Sequence, residues 1–385
     1  MSNAMKIKGV SSMKQASTIS RMMAAAVALA VCGGGVARAD DSAPPGRSIG
    51  YVMHDYKWAV YETKDGKEEC PNGIVSVGPR ELYKIRFPED GTKRKLVDTE
   101  LLWENEVYWP DTSPDKYGSH LKLAGGKTAI GLDLDGKTGP NDFTSPEGKP
   151  GIDNQLYRIL GCLTNYRAAG SVLNFDRTFF KNHGFDRILV EITDVDSLTN
   201  DNDVTVTTYR GRDVLLNDAT GNSYTPGGTQ RLDLRWGKQF IHQAKGKIVN
   251  GVLIAGPMDQ FWMPTESASD SATIEILHKV RWELKLTPEK AEGLIGGYAD
   301  IESWYNARNR NWSTHHEAYG QQVQQSVFKQ LHQLADGMPD AKGNNTAISS
   351  AFDVKFVQTR ILHSDKEVAE MHKAAGGNQF ADSSR

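Results

Sequence analysis

The sequence predicts a mainly β protein, with an antiparallel body of the β-sandwich or jelly-roll kind and a few peripheral α-helices. The first observation behind this prediction is the strong alternation of apolar and polar side chains over residues 273–287. The second is a series of shorter alternating runs, separated by turn sequences rich in Asn, Asp, Gly and Pro. Such alternation indicates strands with one face against a core and one in water, which is typical of antiparallel sheets.

Each expected strand follows from the two-residue repeat of side-chain direction. In the run 273–287 one face carries Ile274, Ile276, His278, Val280, Trp282, Leu284 and Leu286, and the other carries Glu275, Lys279, Arg281, Glu283 and Lys285. The run 50–61 places Val52, His54, Tyr56, Trp58 and Val60 on one side. Further strands are expected at 187–195, 204–209, 232–236, 247–255 and 351–362. The segments 79–87 and 95–107 fit short helices as well as strands.

One helix is predicted near the C-terminus. The sequence Thr314-His315-His316-Glu317 matches a capping box, in which both end side chains bond to backbone N–H groups of the first turn. Apolar residues follow at helical spacing, namely Val323, Val327, Leu331, Leu334 and Ala335. Gly337 and Pro339 are expected to end this helix.

The first 39 residues have the order of features found in secretory signal peptides. Lys14 and Arg21 precede an apolar run at 22–31, and Ala37-Arg38-Ala39 offers a small-residue cleavage site. The alternative is a lipoprotein signal with Cys32 as the lipidated residue, although Val31 stands where a small residue is expected. We expect cleavage near Ala39 and a periplasmic or secreted protein.

The mature chain is expected to contain an N-terminal α/β segment at 40–125, a β body at 126–364 and a mobile polar tail at 365–385. No later run approaches the roughly twenty apolar residues of a membrane span, so no membrane insertion of the mature chain is expected. Five of the 45 basic residues and none of the 48 acidic residues lie in 1–39, which leaves 40 against 48. This acidic balance disfavours nucleic-acid and anionic-membrane partners, because both require a basic face.

Cys70 and Cys162 are the two cysteines that remain after signal cleavage. Two cysteines in an oxidising compartment indicate one disulfide, which would fasten the N-terminal segment to the body. The alternative is a pair of buried free thiols.

A loop rich in Gly and Pro gathers oxygen donors between residues 133 and 155. Its candidate ligands are Asp133, Asp135, Asp142, Asp153 and Asn154. Carboxylate and amide oxygens are the ligands that Ca²⁺ prefers, so calcium is the expected cofactor. The loop is not an EF-hand, since Lys137 and Thr144 occupy positions where that motif has ligands. The alternative is a solvated acidic turn.

A second acidic cluster follows the strand expected at 187–195. Asp194, Asp196, Asp201 and Asp203 would either cap the same ion, hold another ion or form an ordinary hairpin turn, for which Asn-Asp runs are common.

Several segments resemble a large group of exported proteobacterial proteins of uncharacterised activity. The similar segments are DLDG, NDFTSPEGKPGIDNQLYRILGC, VTVTTYRGRD, GGTQRLDLRWGK, LTPEKAEGLIGGY and NTAISSAFDV. The resemblance runs from Tyr51 to about Leu362, and looser versions of the acidic portion ending in Gly-Ile-Asp-Asn-Gln occur in other secreted bacterial proteins. It implies an exported location and an ion-binding loop, and it implies no reaction.

The sequence contains no G-x-G-x-x-G dinucleotide-binding pattern and no C-x-x-C-H motif for covalent haem. His315 and His316 are adjacent and would diverge by about 100° on a helix, so they cannot face one zinc ion unaided. Five tryptophans lie in irregular or polar segments, where an exposed indole can stack on a sugar or anchor a protein. They are Trp103, Trp109, Trp262, Trp304 and Trp312.

Three functions fit these observations. The first is a calcium-stabilised binding protein whose ligand is a glycan or an envelope protein. The second is a secreted hydrolase with a site assembled from scattered acids or histidines. The third is an accessory subunit of an exported redox or envelope complex.

Overall fold

The computed structural model describes residues 47–75, 102–103, 106–107, 121–168, 170, 187–221, 223–266, 272–308, 324–364 and 366. These residues belong to one compact unit of the chain, Ala39–Arg385. The expected signal peptide, most of 79–107, the capping box and nearly all of the expected tail lie outside the described residues. Within the described ranges, no helix combines the length and the apolar character that crossing a bilayer requires.

The described elements are mostly strands. In chain order they are β1 (Ser48–Trp58), β2 (Leu102–Trp103), β3 (Glu106–Val107), β4 (Phe143–Thr144), β5 (Pro150–Ile152), α1 (Leu156–Leu160), β6 (Ile188–Thr193), β7 (Asp201–Arg210), β8 (Gly228–Arg231), β9 (His242–Val249), β10 (Val252–Glu266), β11 (Ala272–Leu286), β12 (Lys290–Asp300), α2 (301–308), α3 (Gln324–Leu334), β13 (Gly337–Pro339) and β14 (Asn345–Leu362). Three 3₁₀ turns lie at Thr164–Tyr166, Leu234–Trp236 and Lys238–Phe240.

Eight strands form a closed antiparallel barrel in the order β1-β6-β7-β9-β10-β11-β12-β14. The barrel closes because β14 pairs with β1, from Gly50↔Thr359 to Trp58↔Phe352. The mainly β, antiparallel prediction is therefore confirmed, and the sandwich or jelly roll is corrected to a barrel. The physical reason is that β1 pairs with β6 along one edge and with β14 along the other. The first and last strands of the sheet are thereby joined, and the sheet closes into a barrel instead of packing against a second sheet.

The barrel interior is filled by apolar side chains, as in other small barrels. Its largest fully buried members include Trp282, Tyr51, Phe352, Phe356 and Met53. α2 and α3 also contribute to this core, with Trp304, Tyr305 and Leu331 buried against it. Trp304 is therefore a core residue rather than the exposed indole considered above. β1, although it lies in the expected N-terminal segment, is an integral barrel strand.

Irregular pairing in β1 and β11 changes which side chains point inward. In β1 the register shifts between Met53 and Asp55, so Met53 packs in the core before the shift and Tyr56 does after it. In β11 the register shifts between His278 and Arg281, and Lys279 has φ +52°. Before this bulge Glu275 and Leu277 face the interior, and after it Val280 and Trp282 do. The predicted faces were thus wrong for the first half of the strand: Glu275 is fully buried and His278 is only half-buried. A bulge reverses the facing because it adds one residue to a two-residue repeat.

Two further strand predictions need correction. Residues 247–255 are not one strand, because the chain turns at Asn250 and Gly251 and divides the run between β9 and β10. Residues 232–236 end in the 3₁₀ turn Leu234–Trp236 rather than in a strand. The late helix ends at Leu334, with two residues before Gly337 opens β13, so Ala335 lies just outside it.

A disulfide joins Cys70 to Cys162, with the Cα atoms 5.7 Å apart and the two cysteines 92 positions apart in sequence. For this separation the chain-entropy model gives about 4 to 5 kcal/mol of stabilisation. A buried ion pair reinforces the link, since Arg167 Nη2 lies 2.7 Å from Glu69 Oε1. Residues 59–75 are thereby fixed to the segment that follows α1.

The His242 side chain of β9 joins the two strands beyond the point where the backbone pairing of β9 with β10 ends. The two strands pair only from Val252↔Val249 to Ala255↔Gly246. Beyond that point the backbone N–H of Trp262 donates to Nε2 of His242 at 3.0 Å. Burial lowers the pKa of His242 to about 4, so the imidazole is neutral and Nε2 can accept this bond at neutral pH.

A buried ion pair lies inside the barrel, near α2. Nη2 of Arg308 is 2.5 Å from Oε1 of Glu275, and both side chains are almost fully buried. The Arg308 guanidinium also lies over the Trp58 ring, 4.9 Å from its centroid. Burial raises the pKa of Glu275, and Arg308 opposes that rise. This pair attaches α2 to the interior face of β11.

We expect Arg308→Met to lower the free energy of unfolding by about 3 to 5 kcal/mol, because it leaves a buried carboxylate without its cation. The double variant Glu275→Gln/Arg308→Met should recover most of that loss. Urea denaturation of both variants and the wild type measures the difference. Equal stability of the single and double variants would contradict the ion-pair account.

We also expect a contribution of His242 to stability, about 2 kcal/mol, that is present above pH 6.5 and lost as the pH falls towards 4. The folded-state pKa is depressed, so protonation favours the unfolded chain and removes the acceptor of the Trp262 N–H. NMR titration of the imidazole measures the pKa directly, and amide exchange reports the Trp262 bond. A measured pKa above 6 would contradict the burial of a neutral His242 that accepts from the Trp262 N–H.

Candidate metal centre

The acidic loop, residues 130–154, lies against the outer face of β12. Gly296 makes room for it, because a Cβ there would be 3.1 Å from Cδ2 of Leu134. Leu132 and Leu134 are both buried by this contact. Nε of Arg281 donates to the Leu134 carbonyl at 3.2 Å. The two leucines therefore anchor the loop and fix the direction of the aspartates between and beside them.

Three aspartates converge in this loop. Asp133, Asp135 and Asp153 each offer a carboxylate oxygen, and these oxygens all lie within 4.8 Å of one another. Asp153 comes from the far end of the loop and is brought across by the antiparallel bridge Leu132↔Asp153. The structure thus brings together three of the five ligands expected in this loop.

Each of these carboxylates is oriented through one oxygen by a backbone N–H of the same loop. Asp133 accepts from Gly136 at 2.6 Å, Asp135 accepts from Lys137 at 2.8 Å, and Asp153 accepts from Leu134 at 2.6 Å. Gly136 has φ +76°, a conformation that glycine adopts at little cost in this turn. The second oxygen of each carboxylate has no hydrogen-bond donor among the described residues. Three oxygens are thereby left available to a cation.

The surroundings of these carboxylates disfavour their negative charge, and therefore favour the binding of a proton or a cation. Burial raises the pKa of Asp153 to about 6, the Leu134 N–H opposes the rise, and the charges of Asp142, Asp135 and Asp336 add to it. Burial also raises the pKa of Asp336, against the hydrogen bonds from Ser349. Crowded carboxylates with few cations nearby repel one another, and a divalent cation would relieve that repulsion.

Asp336 is a member of this environment that the sequence did not reveal. It lies between α3 and β13, and its carboxylate accepts from the backbone N–H and the hydroxyl of Ser349, both at 2.6 Å. The Ser349 hydroxyl oxygen in turn accepts from the backbone N–H of Gln155 at 2.9 Å. No local motif surrounds Asp336, and only the pairing of β13 with β14 places it near the loop.

The other two expected ligands have different surroundings. Asn154 is buried, and its amide nitrogen donates to the carbonyls of Ala59 and Ile130 at 3.1 and 2.8 Å. Its side-chain oxygen accepts from the Tyr157 N–H, so the amide joins the loop to neighbouring backbone. Asp142 accepts from the Gly139 N–H at 2.5 Å and affects Asp153 through its charge.

The four aspartates of the second acidic cluster are held by ion pairs and hydrogen bonds. Asp196 pairs with Arg47 at 2.8 Å, and Asp203 pairs with Lys245 at 2.8 Å. Asp194 accepts from the Thr205 hydroxyl, and Asp201 accepts from the Asp196 N–H. Within the described part of the chain, these acids do not form a converging group of three. The residues cap the β6–β7 hairpin.

Other expected features are placed as follows. Trp262 is half-buried, with its ring 5.9 Å from that of Phe240. His315, His316, Trp109 and Trp312 lie outside the described residues, as does the side chain of Trp103.

Comparison with known proteins gives no match: no family model, no curated protein and no solved structure corresponds to this chain.

We expect Asp153→Asn to raise the stability of the metal-free protein by about 1 to 2 kcal/mol at pH 7.5. The folded-state pKa of Asp153 is raised, so the wild type loses stability as the pH rises from about 4 to about 6. Asn removes the buried charge and can still accept the Leu134 N–H. Urea denaturation with a chelator, from pH 4 to 7.5, measures both effects.

Asp203→Asn is the matched control for this experiment, since Asp203 is an exposed aspartate outside the acidic loop. Its effect should stay within about 0.5 kcal/mol. Destabilisation of the metal-free protein by Asp153→Asn would contradict the electrostatic account.

Proposed function

We propose that this protein is an exported, calcium-stabilised binding protein whose ion is held by Asp133, Asp135 and Asp153. The observation that carries the proposal is the convergence of three carboxylates, each with one oxygen fixed by a backbone N–H and one oxygen left over. A loop of this kind has its ligands preorganised before the ion arrives, which lowers the cost of binding.

The donor set favours calcium over softer metals. All three ligands are carboxylate oxygens, and no cysteine or histidine belongs to the described group. Calcium takes six to eight oxygens at about 2.3 to 2.6 Å, so oxygens on opposite sides of the ion are about 4.6 to 5.2 Å apart. Separations within 4.8 Å fit inside one such coordination sphere. Backbone carbonyls and water would supply the remaining positions.

Export is supported by the N-terminal signal pattern and by the disulfide. A structural disulfide persists in oxidising compartments such as the periplasm or the exterior of the cell. Extracellular calcium sites commonly bind in the 10⁻⁴ to 10⁻³ M range, which matches the calcium available outside the cytoplasm. The ion would lock the acidic loop onto the barrel, and the stiffened barrel would present the ligand-binding surface.

The test is a thermal melt of the purified protein in chelator and in millimolar CaCl₂. At 10 mM CaCl₂, which is about one hundred times a Kd of 10⁻⁴ M, calcium stabilises the folded state by about 2.7 kcal/mol. For a chain of this length we expect that gain to raise Tm by about 3 to 4 °C. Asp135→Asn and Asp153→Asn should each lose most of that increase. Asp203→Asn should keep it.

Two results would count against calcium binding at this centre. One is an unchanged Tm of the wild type in millimolar calcium. The other is a calcium response of Asp153→Asn as large as that of the wild type. Isothermal titration of the same variants with CaCl₂ separates loss of ion binding from loss of folding.

A further inference from the structure

The acidic loop leaves one side of the proposed ion site open to solvent. Asp153 is only 7% exposed, whereas Asp133 is half-buried and Asp135 is exposed. The turn that follows Asp135, residues 136–138, is also exposed. An ion held by these three carboxylates would have protein on the Asp153 side and water on the Asp135 side.

The Asp153 carboxylate is a buried polar group whose hydrogen bonding is incomplete. Asp153 is more than nine-tenths buried, and one of its oxygens accepts the Leu134 N–H at 2.6 Å. Among the residues that the structure describes, no donor reaches its other oxygen. A buried carboxylate oxygen without a donor is costly unless a cation or a proton satisfies it. Asp153 therefore points to a bound cation independently of the two more exposed aspartates.

Three carboxylate oxygens do not complete the coordination of calcium. Each aspartate offers one oxygen to the group, and calcium binds about six to eight. About three to five positions are therefore left, and those on the exposed side of the loop face solvent. Water molecules in such positions exchange for ligand oxygens that reproduce their bonds. The ion can thus be bound by the protein and by a ligand at the same time.

The charge of the loop favours a neutral ligand over an anionic one. Residues 130–154 contain five acidic and two basic side chains, a net charge of −3 that one calcium ion reduces to −1. They are Asp133, Asp135, Asp142, Glu147 and Asp153, with Lys137 and Lys149. Next to the loop, Asp336 and Arg281 contribute one charge each, of opposite sign. A carboxylate or sulfate ligand would meet a negative surface, whereas hydroxyl oxygens would not be repelled by it.

Two adjacent hydroxyl groups of a sugar suit the open side of the ion. A pyranose ring holds the two oxygens rigidly, so one molecule replaces two waters at a small cost in conformational entropy. Each hydroxyl coordinates through its oxygen and still donates its hydrogen to an acceptor. The aspartates around the ion supply such acceptors.

We propose that the calcium ion of the acidic loop binds a neutral sugar through a pair of adjacent hydroxyl groups. Asp133, Asp135 and Asp153 hold the ion, and the ion holds the sugar. Neutral glycans are then the ligand class of the proposed binding function, and this inference rests on that function.

Terbium luminescence counts the water molecules on the ion. Tb³⁺ binds to oxygen sites of the calcium kind, and its emission lifetimes in H₂O and D₂O give the number of coordinated waters. The purified full-length protein loaded with Tb³⁺ should retain at least two waters. Methyl α-mannopyranoside, a neutral sugar with adjacent free hydroxyls, should displace about two of them. Methyl 3-O-methyl-α-mannopyranoside should displace none, because blocking that one oxygen removes every adjacent pair of hydroxyls.

Isothermal titration measures the same contact with calcium itself. In CaCl₂ the wild type should bind methyl α-mannopyranoside at least tenfold more tightly than in chelator. It should bind methyl α-mannopyranosiduronate, in which a carboxylate replaces the hydroxymethyl group, severalfold more weakly. Asp135→Asn should lose both calcium and sugar binding. Asp203→Asn is the matched control and should keep both, since Asp203 is an exposed aspartate paired with Lys245 outside the loop. Circular dichroism shows whether each variant folds.

Three results would overturn the sugar contact and leave the ion site intact. The first is a terbium-loaded protein with no coordinated water. The second is an unchanged water count at tens of millimolar methyl α-mannopyranoside. The third is equal affinity for this sugar and its 3-O-methyl derivative. A Tm that does not respond to calcium would instead contradict the ion site, and the sugar contact would fall with it.

Discussion

The pairing of β14 with β1 is the constraint on which the rest of the structure depends. These strands lie near opposite ends of the described chain, and their eight paired positions convert an open sheet into a closed barrel. Closure removes two edges that would otherwise expose unpaired N–H and C=O groups. It also encloses the apolar interior on all sides, so the core around Trp282 and Phe352 is complete only when this pair has formed. β14 additionally pairs with β12, β13 and β8, which makes it the strand with the most partners in the described sheet.

The acidic loop depends on the same strand. Ser349 of β14 binds the carboxylate of Asp336 and the backbone of Gln155, and thereby connects the β13 turn to the end of the loop. Gly296 of β12 receives Leu134 on the outer face, next to the aspartates. Barrel closure thus determines where the loop can lie, and loop geometry determines where the carboxylates meet. The remaining charge repulsion is local, and one divalent cation can compensate it. If the proposed calcium ion binds there, folding and ion binding would be coupled through a few contacts on one side of the barrel.

Local patterns in the sequence were sufficient for the strand class, for the disulfide between Cys70 and Cys162 and for the acidic loop. They did not predict which side chains of a strand point to the core. Bulges near Met53 in β1 and near Lys279 in β11 each reverse the two-residue repeat. A bulge leaves little trace in composition, and Glu275 was assigned to solvent for that reason. Barrel closure was also not predictable, since it depends on a pairing between distant segments. Asp336 acquires its surroundings through tertiary contacts with β14, whereas Asp133 and Asp135 are oriented by neighbouring backbone.

Anomalous diffraction from crystals grown in millimolar CaCl₂ tests the central claim most directly. We expect an anomalous peak within about 2.3 to 2.6 Å of oxygens from Asp133, Asp135 and Asp153, with the acidic loop in the position described. A map with ordered aspartates and no such peak, or with calcium bound only elsewhere on the chain, would contradict it.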